Sequence, residues 1–440
     1  MTATEPQVAV PRRASASRVL AAWHQTGRAD IESHLATHGP LPVPRRGDAG
    51  WGERLVRDVE DAGLTGRGGA GFPTARKLQA FRGSHKHAVL AVNAMEGEPA
   101  SQKDRALLSG VPHLVLDGAE LVATAIGAHE IVVCVADDRA DSAEGVHGAL
   151  GERAGAGLSR FPARLERPPG RYVTGEESAL VAWLAGGPAH PQFRTDKGTA
   201  LTIKRRPVLV HSAETLAHVA LIARHGPAWF RTVGYPDAPG TCLVTVSGPV
   251  ANPGVCEVEL GTPVASILER AGISAPISAV LVGGYGGTWL RSGLLDTPYA
   301  PGPLAAVGSA VGAGVIAAIA TSSCGVAETA RVATYMANES AGQCGPCVFG
   351  LHAVAQDLVQ LARGDGDSHL LQRLTHRLGG VEGRGACGHP DGVVRLVRSA
   401  LEVFAGDVTD HAHGRPCAGW NRRPILPVSP SAAVAVGRWH

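Results

Sequence analysis

The sequence predicts an α/β domain, then a small β-rich domain, then a helical bundle. Three patterns carry that reading. Up to about residue 235, short apolar runs such as HAVLAVNA and EIVVCVAD alternate with segments of helical periodicity, as strand–helix repeats with buried strands do. Near residue 238 the texture changes to strand, turn, strand and one short helix. From residue 326 the apolar positions recur at helical spacing only.

Taken in order, residues 1–50 read as an N-terminal extension punctuated by Pro and Arg, with one helical stretch around 15–37. The α/β domain is assigned to 51–237. WGERLVRDVEDAG is a helix ending in Gly63, TGRGGAGFP is too glycine-rich for regular structure, and TARKLQAF restarts a helix. HAVLAVNA and EIVVCVAD are buried strands with the helix PHLVLDGAELVATAIG between them. The β-rich domain and a connecting strand span 238–325. The longest apolar run, residues 304–320, is Gly/Ala-rich and shorter than the ~20 strongly apolar residues of a membrane span, so it reads as a buried strand with flanking loops. The bundle covers 326–410, and the proline-rich 411–440 is a tail.

Composition narrows the function. The chain has 440 residues, enough for two to four domains at ~100–200 residues each. Its 41 Lys+Arg nearly balance 39 Asp+Glu, so no basic field points to nucleic acid. The N-terminus lacks an apolar stretch of signal-peptide length, and the reading is a cytoplasmic protein. In that compartment the eight cysteines point to metal ligands, catalytic thiols or buried filler more than to disulfides.

Gly66-Arg67-Gly68-Gly69-Ala70-Gly71 fits G-x-G-x-x-G, but a dinucleotide fingerprint needs a strand directly before it and a helix precedes this one. The physical content remains: small residues let backbone N–H groups face a phosphate, the next helix offers its positive N-terminus, and Arg67, Arg76 and Lys77 add charge. A tight helix–helix connection would show the same glycines. Glu96, Glu98 and Asp104 follow a buried strand, where α/β folds place ligand groups; a solvated acidic loop is the alternative. Glu176 and Glu177 follow what reads as a short strand, with Ser178-Ala179-Leu180 opening a helix, and taken in isolation they read as helix-capping carboxylates. Cys344 and Cys347 form C-x-x-C, and Cys387 lies in a Gly-rich loop able to return to them. Such loops supply N–H donors to sulfur, as iron–sulfur clusters require, while zinc with His389 as fourth ligand stays open. Cys134 and Cys256 fall in strands and read as filler.

In chain order, GLTGRGGAGFPTARK, VNAMEGEP, KDR, YVTGEESAL, AETLAHV, VSGPVANPGV, GGYGG and CGPC resemble one family. It is the NADH- and FMN-binding flavoprotein subunit of respiratory complex I, with relatives in NAD-linked hydrogenases and formate dehydrogenases. The resemblance runs from about residue 28 to 410. It implies a Rossmann-like FMN/NADH domain, a ubiquitin-like β-grasp domain of the SLBB type, and a C-terminal helical bundle. It implies an FMN pocket of Gly66, Arg67, Gly68, Lys77, Asn93, Glu96, Tyr172, Gly175, Glu176, Glu177 and Thr215. Phe72, Glu98, Glu177 and Phe193 would contact NAD(H), and Cys344, Cys347 and Cys387 would hold an iron–sulfur cluster.

The implied activity is NADH dehydrogenase (diaphorase) chemistry. Hydride passes to FMN and single electrons then leave through the cluster, the cofactors carrying the reaction without a protein general base. The implied partner is a ferredoxin-like or thioredoxin-like [2Fe–2S] carrier, with a membrane-associated reductase placing the protein at the inner face of a membrane. A cluster-less FMN diaphorase and a scaffold with an empty flavin site are the alternatives. The chain departs from the family pattern at Met95, where Asp is usual, at His211 and Ser212, where two asparagines are usual, and at Leu78 and Gln102, where aromatic residues are usual. Ala341 stands where the cluster motif has its first cysteine, which leaves a [3Fe–4S] cluster or a [4Fe–4S] cluster short of one thiolate. These departures fit a divergent member serving another electron-transfer chain.

Overall fold

The computed structural model describes residues 17–44, 48–82, 87–193 and 200–428. Residues 1–16 and 429–440, parts of the expected extension and tail, lie outside them. The described part of the extension is two helices, α1 (Ala21–Thr26) and α2 (Ile31–His38), separated at Gly27, which caps α1 with φ 66°. It is packed down. Val19 and Leu20 are fully buried. The Arg18 guanidinium lies 4.0 Å over the Trp229 ring, and His34 Nε2 bonds Asp117 Oδ2 at 2.8 Å.

The α/β part begins with α3 (Trp51–Ala62) and α4 (Thr74–Phe81), joined by the glycine loop. Then follow β1 (Ala88–Ala94), α5 (Lys103–Gly110), α6 (Pro112–Ile126), β2 (Ala128–Val135), α7 (Ala140–Gly155), β3 (Ala163–Glu166), α8 (Glu177–Leu184), β4 (Thr202–Ile203), β5 (Arg206–Ser212) and α9 (Ala213–Phe230). Among the described residues the sheet order is β3-β2-β1-β5-β4, parallel except for β4. Both faces of β1 are covered. Leu90 and Val92 face the core shared with α6 and α9, and Val89 and Ala91 face the one shared with α8. That two-sided burial is why the strand reads as an unbroken apolar run. From β1 the chain steps outward to β2 and β3, then crosses back to pair β5 on β1's other edge. The crevice outside the C-terminal ends of β1 and β5 is thus a topological switch point, the usual ligand position in open α/β sheets.

A hairpin of β6 (Gly234–Tyr235) and β7 (Ala238–Pro239) leads into β8 (Thr241–Ser247), β9 (Gly254–Glu259), α10 (Val264–Arg270), β10 (Ile277–Val282), β11 (Thr288–Arg291), α11 (Pro301–Ala306) and β12 (Val315–Ala320). The sheet order β11-β10-β12-β8-β9, with β12 and β8 parallel at its centre and α10 on one face, is the β-grasp arrangement. The apolar run 304–320 contains the end of α11 and β12, which is buried except at Ala320.

The sheet's other face, through Leu281, Trp289, Ala317 and Ile319, packs on the bundle. The bundle comprises α12 (Gly325–Asn338), α13 (His352–Arg363), α14 (Leu370–Val381), α15 (His389–Val403) and α16 (Ala405–Ala412). The last helical stretch is divided at Phe404, whose ring lies 5.3 Å from that of Trp289. Residues 413–428 fold back rather than trailing free. Leu426 is buried, and the N–H groups of Ile425 and Leu426 donate to Glu328 at 3.0 and 3.2 Å.

Helices α6 and α9 cross where a Cβ on Gly118 would stand 1.9 Å from the Leu216 carbonyl oxygen. Gly118→Ala should therefore cost about 1–3 kcal/mol through overpacking, although alanine is the better helix former by ~1 kcal/mol. Gly148→Ala in α7, where nothing lies within 4 Å of the new methyl, should be neutral or stabilising. Scanning calorimetry of the two variants side by side checks the contrast.

Candidate active site

A cavity of about 440 Å³ opens at the switch point, between the α/β sheet, the β-grasp sheet and the bundle. Asn93 at the end of β1 and its register partner Ser212 at the end of β5 both line it. Asn93 Nδ2 donates to the Gly175 carbonyl at 2.8 Å, which ties β1 to the segment before α8. That segment, Tyr172–Gly175, is a turn of 3₁₀-helix and not the short strand read from the sequence. Tyr172, Gly175 and Glu176 line the cavity. Glu176 also caps α8, accepting from Ser178 N at 2.9 Å and Ala179 N at 3.0 Å.

The glycine loop forms one wall. It is closed at its base where Gly66 N–H donates to Phe72 O at 2.9 Å. It is pinned from beneath by Arg67 N–H, which donates to Thr215 Oγ1 at 2.9 Å, while Thr215 and Ser212 share a hydroxyl hydrogen bond at 2.7 Å. Gly68 and Gly69 present backbone to the cavity. A Cβ on Gly68 would stand 3.3 Å from Ser212 Cβ, and Gly69 needs φ +108°.

Other expected residues are held elsewhere. The Arg67 guanidinium turns away from the cavity and donates to Thr65 Oγ1 at 3.0 Å and Pro239 O at 3.2 Å, so burial against the β-grasp part occupies the charge expected to face a phosphate. Arg76 is exposed. Lys77 Nζ donates to Val210 O at 2.7 Å and pairs with Glu177 at 3.0 Å, joining α4, β5 and α8 outside the cavity lining. Phe72 and Phe193 are exposed at 54% and 73%. Ser212 lines the cavity, while His211 is buried with Nε2 lacking a partner and its pKa pushed down to about 3 by burial and then by Lys77. Met95 is a buried part of the lining, and Leu78 is core.

Glu96, Glu98 and Asp104 join Glu176 in the cavity lining. Glu96, at φ +45°, accepts from Asp104 N at 2.8 Å, Arg105 N at 3.2 Å and Ser101 Oγ at 3.3 Å, capping α5. Burial and then the Asp104 charge push its pKa up to about 8. Glu98 accepts from Tyr285 N at 2.8 Å, Ala100 N at 3.2 Å and Tyr172 OH at 3.4 Å, and burial pushes it up to about 7. Burial also pushes Asp104 up to about 6.

Two elements of the site were missed from the sequence. Lys103 in KDR lines the cavity, pairs with buried Glu214 at 2.9 Å and donates to the Arg67 carbonyl. Glu214 also accepts Leu243 N–H of β8 at 2.8 Å. Lysine and glutamate 111 positions apart leave no local signal. His389, read as a possible metal ligand, lies 5.4 Å ring to ring from Tyr172 and bonds Met336 O through Nε2 at 2.8 Å.

One cysteine, Cys387, meets the cavity from the bundle side. Cys347 sits in a π-helical turn, Pro346–Leu351, after Cys344, and Cys387 lies between α14 and α15 in the cavity wall. Burial, then Cys344 and, more weakly, Cys387, push the Cys347 thiol up to about 12. Asp104 Oδ1 and His389 Nδ1 are buried without a hydrogen-bond partner. A polar-rimmed cavity with a glycine wall, unpartnered polar atoms and the Cys387 thiol at one side suits a heterocyclic phosphate cofactor beside a metal–sulfur centre.

The raised acids make stability depend on pH. The folded protein keeps protons on Glu96 and Glu98 that the unfolded chain releases near the ordinary value of 4.5. Their contribution is whole below that value and is lost as pH rises through about 7 for Glu98 and about 8 for Glu96. The thermal midpoint of the ligand-free protein should fall across that window. Glu98→Gln, which fixes a neutral side chain, should shallow the slope; an unchanged slope would contradict the assignment.

Residues 59–221 match the family described as the Nuo51 FMN-binding domain, 243–272 the SLBB domain, and 327–411 the NADH-ubiquinone oxidoreductase-F iron-sulfur binding region. The second F subunit of the Rhizobium meliloti NADH-quinone oxidoreductase is 31% identical over 380 residues, 83% of this chain and 90% of the relative. The F subunit of the Escherichia coli NADH-quinone oxidoreductase is 32% identical over 80% of this chain and 83% of its own. A chain in the crystal structure of NAD+-reducing [NiFe]-hydrogenase in the air-oxidized state superposes with a TM-score of 0.80 at 29% identity, covering 98% of this chain and 71% of that one. The chain belongs to the family of NADH-quinone oxidoreductase F subunits.

Proposed function

We propose that this protein is an FMN-dependent NADH dehydrogenase module that delivers electrons to an iron–sulfur centre in its own bundle. The observation that carries this is a shared wall: Cys387 lines the same cavity as Gly68, Asn93 and Glu96. FMN, when bound, supplies the conversion from hydride to single electrons. The residues' part is to hold and enclose it. Gly68 and Gly69 offer backbone to it, Asn93, Ser212 and Glu96 offer polar groups, and Lys103 brings positive charge to the floor. Glu98 and Tyr172, hydrogen-bonded to each other, would shape the nicotinamide side, with Phe72, Phe193 and the Lys77–Glu177 pair at the approach.

Electrons would leave through Cys344, Cys347 and Cys387. Val348 and Phe349, exposed at 41% and 75% beside Cys347, offer an apolar face to a [2Fe–2S] carrier. Among the described residues no single helix is long and apolar enough to cross a membrane. The reading here places the protein in the cytoplasm, with any membrane contact made through a partner.

Heat-released flavin should run as FMN on chromatography, and NADH should bleach it in stopped flow. Gly68→Val should abolish flavin binding, because its branched side chain enters the cavity from a loop already in contact with Ser212. Release of FAD, or no bleaching by NADH, would refute the proposal.

At the cluster, three thiolates suffice for [3Fe–4S], and [4Fe–4S] needs a further ligand such as water or His389 Nδ1. Ala341→Cys should raise iron per chain and, by adding a negative thiolate, lower the reduction potential. EPR of oxidised and dithionite-reduced protein, with iron analysis, reads both effects. Identical spectra and iron content would remove Ala341 from the account.

A further inference from the structure

Away from the cavity, Cys324, His411 and Cys417 bring their donor atoms within 4.8 Å of one another. They come from three parts of the bundle. Cys324 is the N-cap of α12, His411 lies in the last turn of α16, and Cys417 sits in the segment that folds back. Cys324 and His411 are buried, at 2% and 0% exposure, and Cys417 is half-buried. The imidazole is oriented. Its Nδ1 faces the carbonyl oxygens of Leu361 at 3.2 Å and Ala362 at 3.0 Å, so Nδ1 carries the proton and Nε2 the lone pair. Nε2 stands 3.7 Å from Cys324 Sγ and accepts the Cys417 N–H at 3.0 Å. Cys324 Sγ in turn accepts the Ala327 N–H at 3.3 Å.

We propose that these three residues form a second metal site, for Zn²⁺, with two thiolates, one imidazole and a fourth position open to water on the Cys417 side. Zinc favours this S/N donor set. A ligating histidine whose other ring nitrogen bonds a backbone carbonyl is the usual supporting arrangement. An N–H donated to sulfur at a helix N-terminus favours the thiolate. Binding releases two thiol protons to solvent, exchanges the Cys417 N–H on Nε2 for the metal, and changes no oxidation state. The site is separate from the three-cysteine one, since the 14 residues of α12 stand between them, ~21 Å of helix.

The consequence is mechanical. Zinc there would clamp the start of the returning segment onto α12 and α16. Farther along, that segment binds Glu328 through Ile425 and Leu426, and its Pro427 carbonyl accepts the Tyr285 hydroxyl. Tyr285 N–H is itself the donor to Glu98 in the cavity wall.

The test uses the full chain, with flavin and iron in place, grown with zinc supplied. Metal analysis should find about one zinc per chain, and X-ray absorption at the zinc edge should show about two sulfurs at ~2.3 Å and one nitrogen at ~2.0 Å. Cys417→Ser should cut zinc about tenfold while flavin and iron stay unchanged, and Cys417→His should keep it, since imidazole can replace thiolate in such a set. Wild-type protein without zinc, zinc lost only on substituting Cys344 or Cys387, or a Cys324–Cys417 disulfide in peptide maps of protein alkylated at lysis would each overturn the proposal.

Discussion

The buried ion pair between Lys103 and Glu214 is the constraint on which the cavity rests. Lys103 opens α5 and Glu214 lies in the first turn of α9, and the two meet at 2.9 Å with under a tenth of either side chain exposed. Burial works against the Lys103 ammonium, but Glu214, then Asp104 and Glu96, outweigh it and hold its pKa above the ordinary value. The remaining hydrogen-bonding capacity is also used. Lys103 holds the Arg67 carbonyl of the glycine loop, and Glu214 holds the Leu243 N–H of the β-grasp sheet. Removing one partner of such a pair costs about 3–5 kcal/mol, because the other is left charged and buried. Here it would also release the loop and the sheet that form two sides of the cavity.

That arrangement explains why the cavity tolerates so many acids. Glu96 and Glu98 are anchored by backbone N–H groups and raised by burial, so they add less negative charge near neutrality than their number suggests. Their positions depend on neighbours without side chains. A Cβ on Gly97 would meet the Tyr172 carbonyl at 2.6 Å, and one on Gly284 would meet Glu98 Oε2 at 2.5 Å. The glycine of NAMEGEP therefore serves close approach within the α/β part, and Gly284 of GGYGG close approach between the β-grasp and α/β parts.

The bundle adds one thiol, Cys387, to a wall that the other two parts have already built. Cys387 reaches it because α15 begins beside the cavity, with Gly392 packed 3.0 Å from Gly286 as measured from a Cβ that glycine lacks. An electron centre held there would need no separate conduit from the cofactor cavity, which is the economy of placing the cysteine loop between two helices that pack on the β-grasp sheet.

How much of this was legible in the sequence follows from range. The strands β1 and β2, helices α3 and α6, the glycine loop and the C-x-x-C turn are dictated by local pattern, since periodicity and glycine placement act over a few residues. The motifs in chain order also carried the family, and with it the β-grasp domain. Other features were decided by tertiary contact. Arg67 sits in a loop that suits phosphate binding, yet its guanidinium is drawn to Pro239 in another part of the chain. Tyr172–Gly175 winds into a 3₁₀ turn while Asn93 holds its last carbonyl from across the sheet. The proline-rich segment past α16 lacks periodicity, but Glu328 supplies acceptors for its buried N–H groups and it packs. The physical reason is common to all three: a buried polar group must find a partner wherever the fold brings one, and the identity of a partner far away along the chain leaves no trace in local sequence.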